Sequence, residues 1–453
     1  MFKFIRIIFF YLISVLLGFS GQLSGSISES AMKETEQDLI QYLNARSHVL
    51  IDSDSLDTLI TEAGERRLIL LGESTHGTSE FYIWRSRISK RLIEDEGFDF
   101  VLVEGDWPSF YQINRYVKEL DHQESSAEDL LRENFNRWPE WMWSNSEVAD
   151  FVEWLRDYNS DRLPEERVGI YGMDVYSKEE SITEVRSYLN GLQDPEFAEV
   201  ANLYDCFTPY RYDGGNYARA IYRGAEDCSS ETRGVVDFLL ENREFLSEQC
   251  LDAYFNAKQN AVVVKNAEKH YRHAIGWSPE SWNYRVYHME ETVYRLLDYY
   301  GEESKGIVWA HNTHVGDARA TPMSGQGRYN IGQLLRVNLG RENVFSIGLG
   351  SYTGQVLAGS EWGSRMRRME IPEAAESSLE YLLNRVDKTD FFLIFDEEMK
   401  EHHILNEERG HRAIGVVYDP RNEFPGNYVP TIITSRYDAF IFIKETEPLN
   451  YLH

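Results

Sequence analysis

Cysteine is scarce in this sequence. Only three of the 453 residues are cysteine, namely Cys206, Cys228 and Cys250. Their spacing lacks the C-x-x-C pair of a zinc ribbon or a redox enzyme, and their odd number allows at most one disulfide within the chain. We expect them to be small buried side chains in helices, and no partner base that would make one of them a nucleophile can be assigned.

Basic residues are also in short supply. The chain has 46 lysines and arginines against 75 aspartates and glutamates, a formal net charge of -29. Such a charge repels the phosphates of nucleic acids and of anionic lipids. We therefore expect no nucleic-acid partner, and no membrane partner beyond a possible uncleaved N-terminal anchor.

The longest apolar run lies close to the start of the chain. Residues 7–17 are almost wholly apolar, follow Lys3 and Arg6, and precede a stretch rich in glycine and serine. This order is typical of a secretory signal peptide, and the run is short for a helix that spans a bilayer. We predict a signal peptide over residues 1–23 and export to the periplasm or the extracellular space.

Several well-known catalytic motifs are missing. The sequence has no H-E-x-x-H, no Walker loop and no G-x-S-x-G. The segment Gly72-Glu-Ser-Thr-His76 approaches the last of these, but His76 stands where the nucleophile elbow needs glycine. A catalytic serine at Ser74 is therefore not favoured.

Short apolar runs separated by helical patterns are present along the chain, and they predict buried parallel strands. A helix is predicted from about Ser79 to Glu96, and a mostly helical insertion at about 177–300. We predict an α/β domain over residues 35–453, with a mostly parallel central sheet flanked by helices. The strand-like runs lie at 67–71, 98–103, 168–171, 306–310, 344–349, 391–395, 414–418 and 438–443.

Four of these runs lead into residues that can act as acids, bases or metal ligands. Because ligands bind outside the carboxyl ends of parallel strands, we expect these side chains to converge on one cleft. The residues that follow the runs are Glu73 and His76, Glu104 and Asp106, Asp174, and His311 and His314.

The residue types suggest hydrolysis by an activated water molecule. His76 can take a proton from water, and Glu73 can fix its tautomer and stabilise its charged form. Glu104 and the two later histidines would orient the water, stabilise an oxyanion or protonate a leaving alcohol. Asp106, which precedes Trp-Pro, is interpreted as a turn or cap residue.

Two other interpretations of these residues stay open. In the first, His76, His311 and His314 hold a divalent metal such as zinc, with an open position for water. In the second, the cleft binds a small ligand without turnover. Taken alone, the turn with Glu73 and His76 is equally compatible with a structural role that satisfies loop backbone. In the leading interpretation no cofactor is needed.

The ordered motifs resemble the erythromycin esterase family. The motifs are Gly72-Glu-Ser-Thr-His-Gly, Val103-Glu-Gly-Asp-Trp, Gly172-Met-Asp and Trp309-Ala-His-Asn-Thr-His, with Arg412-Ala-Ile-Gly-Val-Val-Tyr and Tyr437-Asp-Ala-Phe-Ile further on. Some members of this family are labelled succinoglycan biosynthesis proteins. The resemblance implies an α/β core with a helical insertion, and hydrolysis of an ester or lactone without a serine nucleophile.

The resemblance also implies a set of pocket residues. A histidine matching His76 would activate water, and the implied catalytic and substrate-binding positions are Glu73, Glu104, His311, His314, Arg85, Asp174 and Arg285. The helix motif around Arg285 departs from the family at Val286 and Thr292, where aspartate and asparagine are usual. A small-molecule ester or lactone, macrolide-like or other, is the expected partner, and an exported protein that binds haem or a small ligand is the alternative.

Overall fold

The computed structural model describes residues 36–120, 126–276 and 278–452. The predicted signal peptide at 1–23 lies outside these ranges. Within them, no helix is both long and apolar enough to cross a membrane.

Eleven strands are present in the described ranges. They are β1 (His48–Val49), β2 (Leu68–Leu71), β3 (Phe100–Asp106), β4 (Gly169–Asp174), β5 (Gly306–Trp309), β6 (Val344–Ala358), β7 (Arg367–Ile371), β8 (Phe391–Ile394), β9 (Arg409–Arg412), β10 (Tyr428–Thr431) and β11 (Ala439–Thr446).

Nine of these strands form the central sheet. Its order is β1-β8-β11-β6-β2-β5-β3-β4, with β7 paired to β6. The six strands from β11 to β4 run parallel, whereas β1, β7 and β8 pair antiparallel with their neighbours. The predicted α/β fold with a mostly parallel sheet is therefore confirmed.

Helices cover both faces of the sheet and form the insertion. They are α1 (36–46), α2 (Asp57–Gly64), α3 (Ser79–Glu96), α4 (Trp107–Val117), α5 (Ala127–Asn134), α6 (Ser146–Ser160), α7 (Lys178–Gly191), α8 (Pro195–Ala201), α9 (Gly214–Tyr222), α10 (Ser229–Glu241), α11 (Arg243–Gln249), α12 (Leu251–Arg272), α13 (Glu280–Tyr300), α14 (Asn312–Val315), α15 (Pro322–Gly325), α16 (Ile331–Asn338), α17 (Leu379–Leu383), α18 (Glu397–Glu401), α19 (Glu423–Gly426) and α20 (Ile433–Arg436).

The apolar runs form strands because both faces of the sheet are buried. Successive side chains of a strand point to opposite faces. Ile69 and Leu71 of β2 belong to one apolar cluster, together with the buried face of α3, while Leu68 and Leu70 belong to another that includes α13. A strand covered on both sides needs apolar residues at every position, so alternation is absent from the sequence.

The predicted strand at 414–418 is wrong. Ile414 and Val417 make only isolated bridges, to Thr75 and to Gly359, and the preceding residues form β9 instead. Because β9 pairs with β10 away from the central sheet, the segment after it runs past the ends of β2 and β6 as a loop.

The cysteine prediction also needs correction. Cys206 and Cys228 form a disulfide, with their Cα atoms 5.9 Å apart, and Cys250 is exposed. The bridge joins two segments of the insertion, where α7 to α12 pack around an apolar core of their own. Proximity set by this packing, and not local spacing, decides which cysteines meet.

Candidate active site

Four adjacent strands bring the predicted site residues to one edge of the sheet. The strands β2, β5, β3 and β4 are neighbours and run parallel, so their carboxyl ends share this edge. Glu73 follows β2, His311 follows β5, and Asp174 ends β4. The sheet order thus places residues from distant parts of the sequence side by side.

Glu73 bridges a histidine and an arginine. Its Oε1 lies 2.8 Å from Nδ1 of His76, and its Oε2 lies 2.8 Å from a terminal nitrogen of Arg85. Glu73 and Arg85 have no exposed surface. The carboxylate therefore fixes the orientation of the His76 ring, while Arg85 on α3 compensates its charge.

Arg85 is placed behind the site and not at its opening. Its guanidinium stacks over the rings of Tyr82 and Trp309, 4.2 and 5.1 Å from their centroids. In this structure the fully buried guanidinium pairs with Glu73 and supports it from behind. The substrate contact of Arg85 stays a prediction.

The environment of His76 favours its charged form. Burial by itself would lower the pKa of His76, but the hydrogen bond and charge of Glu73, assisted by the charge of Glu104, outweigh burial and raise the pKa above 6.5. The side chain is 10% exposed, and Nε2 makes no hydrogen bond to another described residue. This nitrogen is the basic atom that a water molecule can reach.

Glu104 is the second carboxylate of the site, and it is bound on all sides. Its Oε1 lies 2.7 Å from Nη2 of Arg285 and 3.1 Å from Nε2 of His314. Its Oε2 accepts the backbone N–H of His311 at 2.9 Å. Burial would raise the pKa of Glu104, but His314, Arg285 and His76 together hold it well below its usual value, so the carboxylate is ionised.

Arg285 ties the insertion to the sheet. It extends from α13 and binds Asp174 through two hydrogen bonds of 2.9 and 2.7 Å as well as Glu104. This paired geometry is the strong form of the arginine–carboxylate contact. The predicted substrate-binding residues Asp174 and Arg285 thus lie in the site, where they pair with each other.

His311 is held as a neutral imidazole. The backbone N–H of Thr313 donates to its Nδ1 at 3.1 Å, so the proton of the neutral ring is on Nε2. Burial, reinforced by the nearby His76, keeps the pKa of His311 well below 6.5. Nε2 is buried without a side-chain partner, and the backbone of Ser74 is a polar neighbour that favours its proton.

The two histidines at the centre of the site face each other. The ring centroids of His76 and His311 are 5.0 Å apart, at an interplanar angle of 47°. His314 lies to one side, where its ring stacks on Trp282 at a centroid distance of 5.0 Å. Of the two neighbouring rings, that of His76 is partly exposed, and that of His311 carries the buried Nε2.

Ser74 does not fit the role of a nucleophile. Its side chain is fully buried, and its Oγ has no hydrogen-bond partner among the described residues. A serine nucleophile needs a base within hydrogen-bond distance and access to the substrate.

Asp106 precedes α4 and forms an ion pair that the sequence did not indicate. It pairs with Arg137, whose Nη1 also donates to the carbonyl of Tyr176 at 2.8 Å. Burial and the neighbouring Asp174 raise the pKa of Asp106 to about 6 against the opposing charge of Arg137. Arg137 was missed because it lies in a loop without a motif, and only the fold brings it to β3.

The three histidines considered as metal ligands are not grouped as a ligand set in the described part of the chain. Within the described ranges, no group of three or more His, Cys, Asp or Glu side chains is arranged to hold a metal ion. Nε2 of His314, one of the expected ligands, lies 3.0 Å from Nη1 of Arg285. A guanidinium at that position competes with any cation for the same nitrogen.

Comparison with known proteins identifies the family. The family model described as erythromycin esterase matches residues 93–446. The chain belongs to the erythromycin esterase family. The matched range contains Glu104, Arg285 and the histidines after β5, and it begins after the His76 turn.

Named relatives of this family member are distant in sequence. YbfO of Bacillus subtilis (strain 168), whose name describes a hydrolase, is 20% identical over 402 residues, which cover 84% of this chain and 84% of that protein. Erythromycin esterase type II of Escherichia coli is 22% identical over 371 residues, covering 73% of this chain and 81% of that protein.

Solved structures of relatives share the fold. A succinoglycan biosynthesis protein matches with a TM-score of 0.75 and 20% identity, covering 92% of this chain and 99% of its own. The open conformation of an erythromycin esterase mutant matches with a TM-score of 0.62 and 15% identity, covering 88% and 97%.

Proposed function

We propose that this erythromycin esterase family member hydrolyses a carboxylic ester or lactone with water activated by His76. The observation that carries the proposal is the pair formed by His76 and His311, whose pKa values are shifted in opposite directions although their rings are 5.0 Å apart. Neighbouring titratable groups with diverging pKa values are typical of an acid and base assignment.

The proposed reaction begins with proton transfer to Nε2 of His76. The hydroxide that forms attacks the ester carbonyl carbon, and Glu73 stabilises the imidazolium across its 2.8 Å contact with Nδ1. The carbonyl oxygen becomes an oxyanion, and its proposed donor is the buried Nε2–H of His311, which substrate binding must uncover.

Collapse of the tetrahedral intermediate breaks the bond between the acyl carbon and the alcohol oxygen. The proton on Nε2 of His76 passes to the leaving alcohol, which restores the neutral histidine. Glu104 and Arg285 keep His314 and the His311 backbone in place through contacts of 2.7 to 3.1 Å. Their proposed contribution is to hold the site and not to transfer protons.

The site and the named relatives together support the proposed substrate class. A water nucleophile and a single oxyanion donor suit esters and lactones, and relatives carry the name erythromycin esterase. The proposed export of this chain means that its substrate is met outside the cytoplasm, so esters other than macrolides belong in the test.

The test is hydrolysis of a panel of simple esters, sugar lactones and macrolide lactones by the purified protein. Each reaction is followed by titration of the released acid and by mass spectrometry, which should show a mass gain of one water on lactone opening. If the folded wild-type protein hydrolyses none of these esters and lactones, the proposal is contradicted.

Two measurements on the same preparation address the alternatives. Metal analysis after dialysis, combined with turnover in the presence of a chelator, tests the metal-dependent hydrolase, for which stoichiometric metal and chelator-sensitive turnover are required. A visible absorbance spectrum tests the haem-binding alternative, because bound haem absorbs strongly there.

A further inference from the structure

A buried polar chain lies directly behind the site. Nδ1 of His411 is 2.5 Å from Oε1 of Glu380, and its Nε2 is 3.1 Å from the side-chain nitrogen of Asn312. All three side chains are fully buried. Buried polar groups of this kind are costly unless every partner is in place, so their arrangement is closely determined.

The backbone of Leu349 fixes which way the Asn312 amide points. The carbonyl of Leu349 accepts from Nδ2 at 2.7 Å, and its N–H donates to Oδ1 at 3.3 Å. Because a backbone carbonyl can only accept and a backbone N–H can only donate, the amide cannot be reversed without losing both bonds. The nitrogen is therefore the atom that faces His411.

This orientation also fixes the tautomer of His411. An amide nitrogen only donates, so Nε2 of His411 must accept and Nδ1 must carry the proton. That proton is donated to Glu380, whose Oε1 also accepts the backbone N–H of Arg412 at 3.0 Å. Burial lowers the pKa of His411 despite the opposing effect of Glu380, in agreement with a neutral ring.

Asn312 connects this chain to the catalytic residues. It directly follows His311, and its backbone N–H donates to the carbonyl of Glu73 at 2.8 Å. The packing around it is tight, since a Cβ atom at Gly72 would lie 2.0 Å from Oδ1 of Asn312. A shift of the amide would therefore move the turn that carries Glu73 relative to the segment that carries His311.

We infer that Glu380 and His411 form a positioning pair that, together with the backbone of Leu349, holds the amide of Asn312 in place and so sets the separation of His76 and His311. The inference rests on the proposed function for its catalytic consequence, whereas the tautomer of His411 is a structural consequence that needs no substrate. Neither residue touches the reacting atoms, so both act through Asn312.

The catalytic test compares His411→Leu with His411→Gln. Leucine removes the acceptor for Asn312, and we expect kcat to fall about 10-fold or more with little change in KM, because misplacement of catalytic groups lowers the rate more than binding. Glutamine can offer an oxygen to Asn312 and an N–H to Glu380, so it should restore most of kcat.

Asn159→Leu is the matched structural control. Asn159 is equally buried and binds the backbone of Val168 through two contacts of 2.9 Å, at the opposite end of β4 from the site. It should lose stability without a loss of kcat. An unchanged kcat in folded His411→Leu, or an equal loss in Asn159→Leu, would overturn the positioning role.

Nitrogen NMR of wild-type protein labelled at histidine provides the second readout, with His411→Gln used to assign the signal. At pH 7 we expect His411 to be neutral with a proton on Nδ1 and none on Nε2. A proton on Nε2 would overturn the inference whether or not any ester is hydrolysed. Absence of hydrolysis together with the expected tautomer would contradict the proposed function and leave the tautomer assignment confirmed.

Discussion

Replacing His76 with glutamine is expected to remove the base while keeping its support. The glutamine amide can still donate to Oε1 of Glu73, and the ion pair between Glu73 and Arg85 at 2.8 Å is untouched. We expect kcat/KM to fall at least about 100-fold, the usual scale for loss of a general base. At about 1.36 kcal/mol per tenfold change, this corresponds to roughly 2.7 kcal/mol of lost transition-state stabilisation.

The assay must separate loss of chemistry from loss of folding. Because the His76 side chain is 10% exposed and its partner stays paired, the free energy of unfolding in urea should change by less than about 2 kcal/mol. His403→Gln, a substitution at an exposed histidine outside the site, should leave kcat/KM unchanged. A folded His76→Gln protein with more than a tenth of wild-type kcat/KM would refute the assignment of His76 as the base.

Three further predictions follow from charge, burial and covalent linkage. Because the pKa of His76 is raised, the acid limb of a kcat/KM profile should lie above pH 6.5, and a rate that is constant between pH 5 and 8 would argue against this base. Arg285→Met should lower the free energy of unfolding in urea at pH 7 by about 3 to 5 kcal/mol, because the substitution leaves the buried carboxylates that Arg285 binds without a cation. The loss of unfolding free energy in Arg285→Met should become smaller in acid, because protonated Glu104 no longer needs a cation. A loss that does not change with pH would contradict the ion-pair explanation. Replacing Cys206 and Cys228 with serine should lower the free energy of unfolding by about 3 kcal/mol, because the unfolded chain no longer loses the entropy of a closed loop of this length. Calorimetry that shows no loss of stability would contradict a native disulfide.

Most of the parallel strands could be predicted from the sequence, because a strand that is buried on both faces is a continuous apolar run. Strands such as β2 and β5 are continuous apolar runs, and a polar residue follows two positions after each of them at the same edge of the sheet. Helix α3 matches its predicted bounds from Ser79 to Glu96, with Gly97 in the left-handed conformation at its end. The run at 414–418 has similar composition, but nothing local indicates that its neighbours pair outside the sheet.

The supporting residues of the site were harder to predict because their roles depend on packing across long sequence distances. Arg85 is spaced like any residue on one face of a helix, and only its burial against Trp309 shows that it faces inward. His411 and Glu380 lie in segments without a catalytic motif, and a hydrogen bond across 99 residues connects His411 to Asn312. Periodicity and spacing carry no information about such contacts.

The site uses the same local arrangement twice and obtains opposite results. Glu73 binds Arg85 and His76, and Glu104 binds Arg285 and His311. The pKa of His76 is nevertheless raised, while the pKa of His311 is lowered. The difference follows from which atom of the histidine meets the carboxylate. Glu73 accepts from the ring of His76 and so stabilises its charge, whereas Glu104 accepts only the backbone N–H of His311, and its charge does not outweigh burial and the nearby His76, which lower the pKa of that ring. Exchange of the two roles would require His311 to gain a proton beside a charged His76 with no carboxylate bonded to its ring, which is why we propose His76 and not His311 as the base.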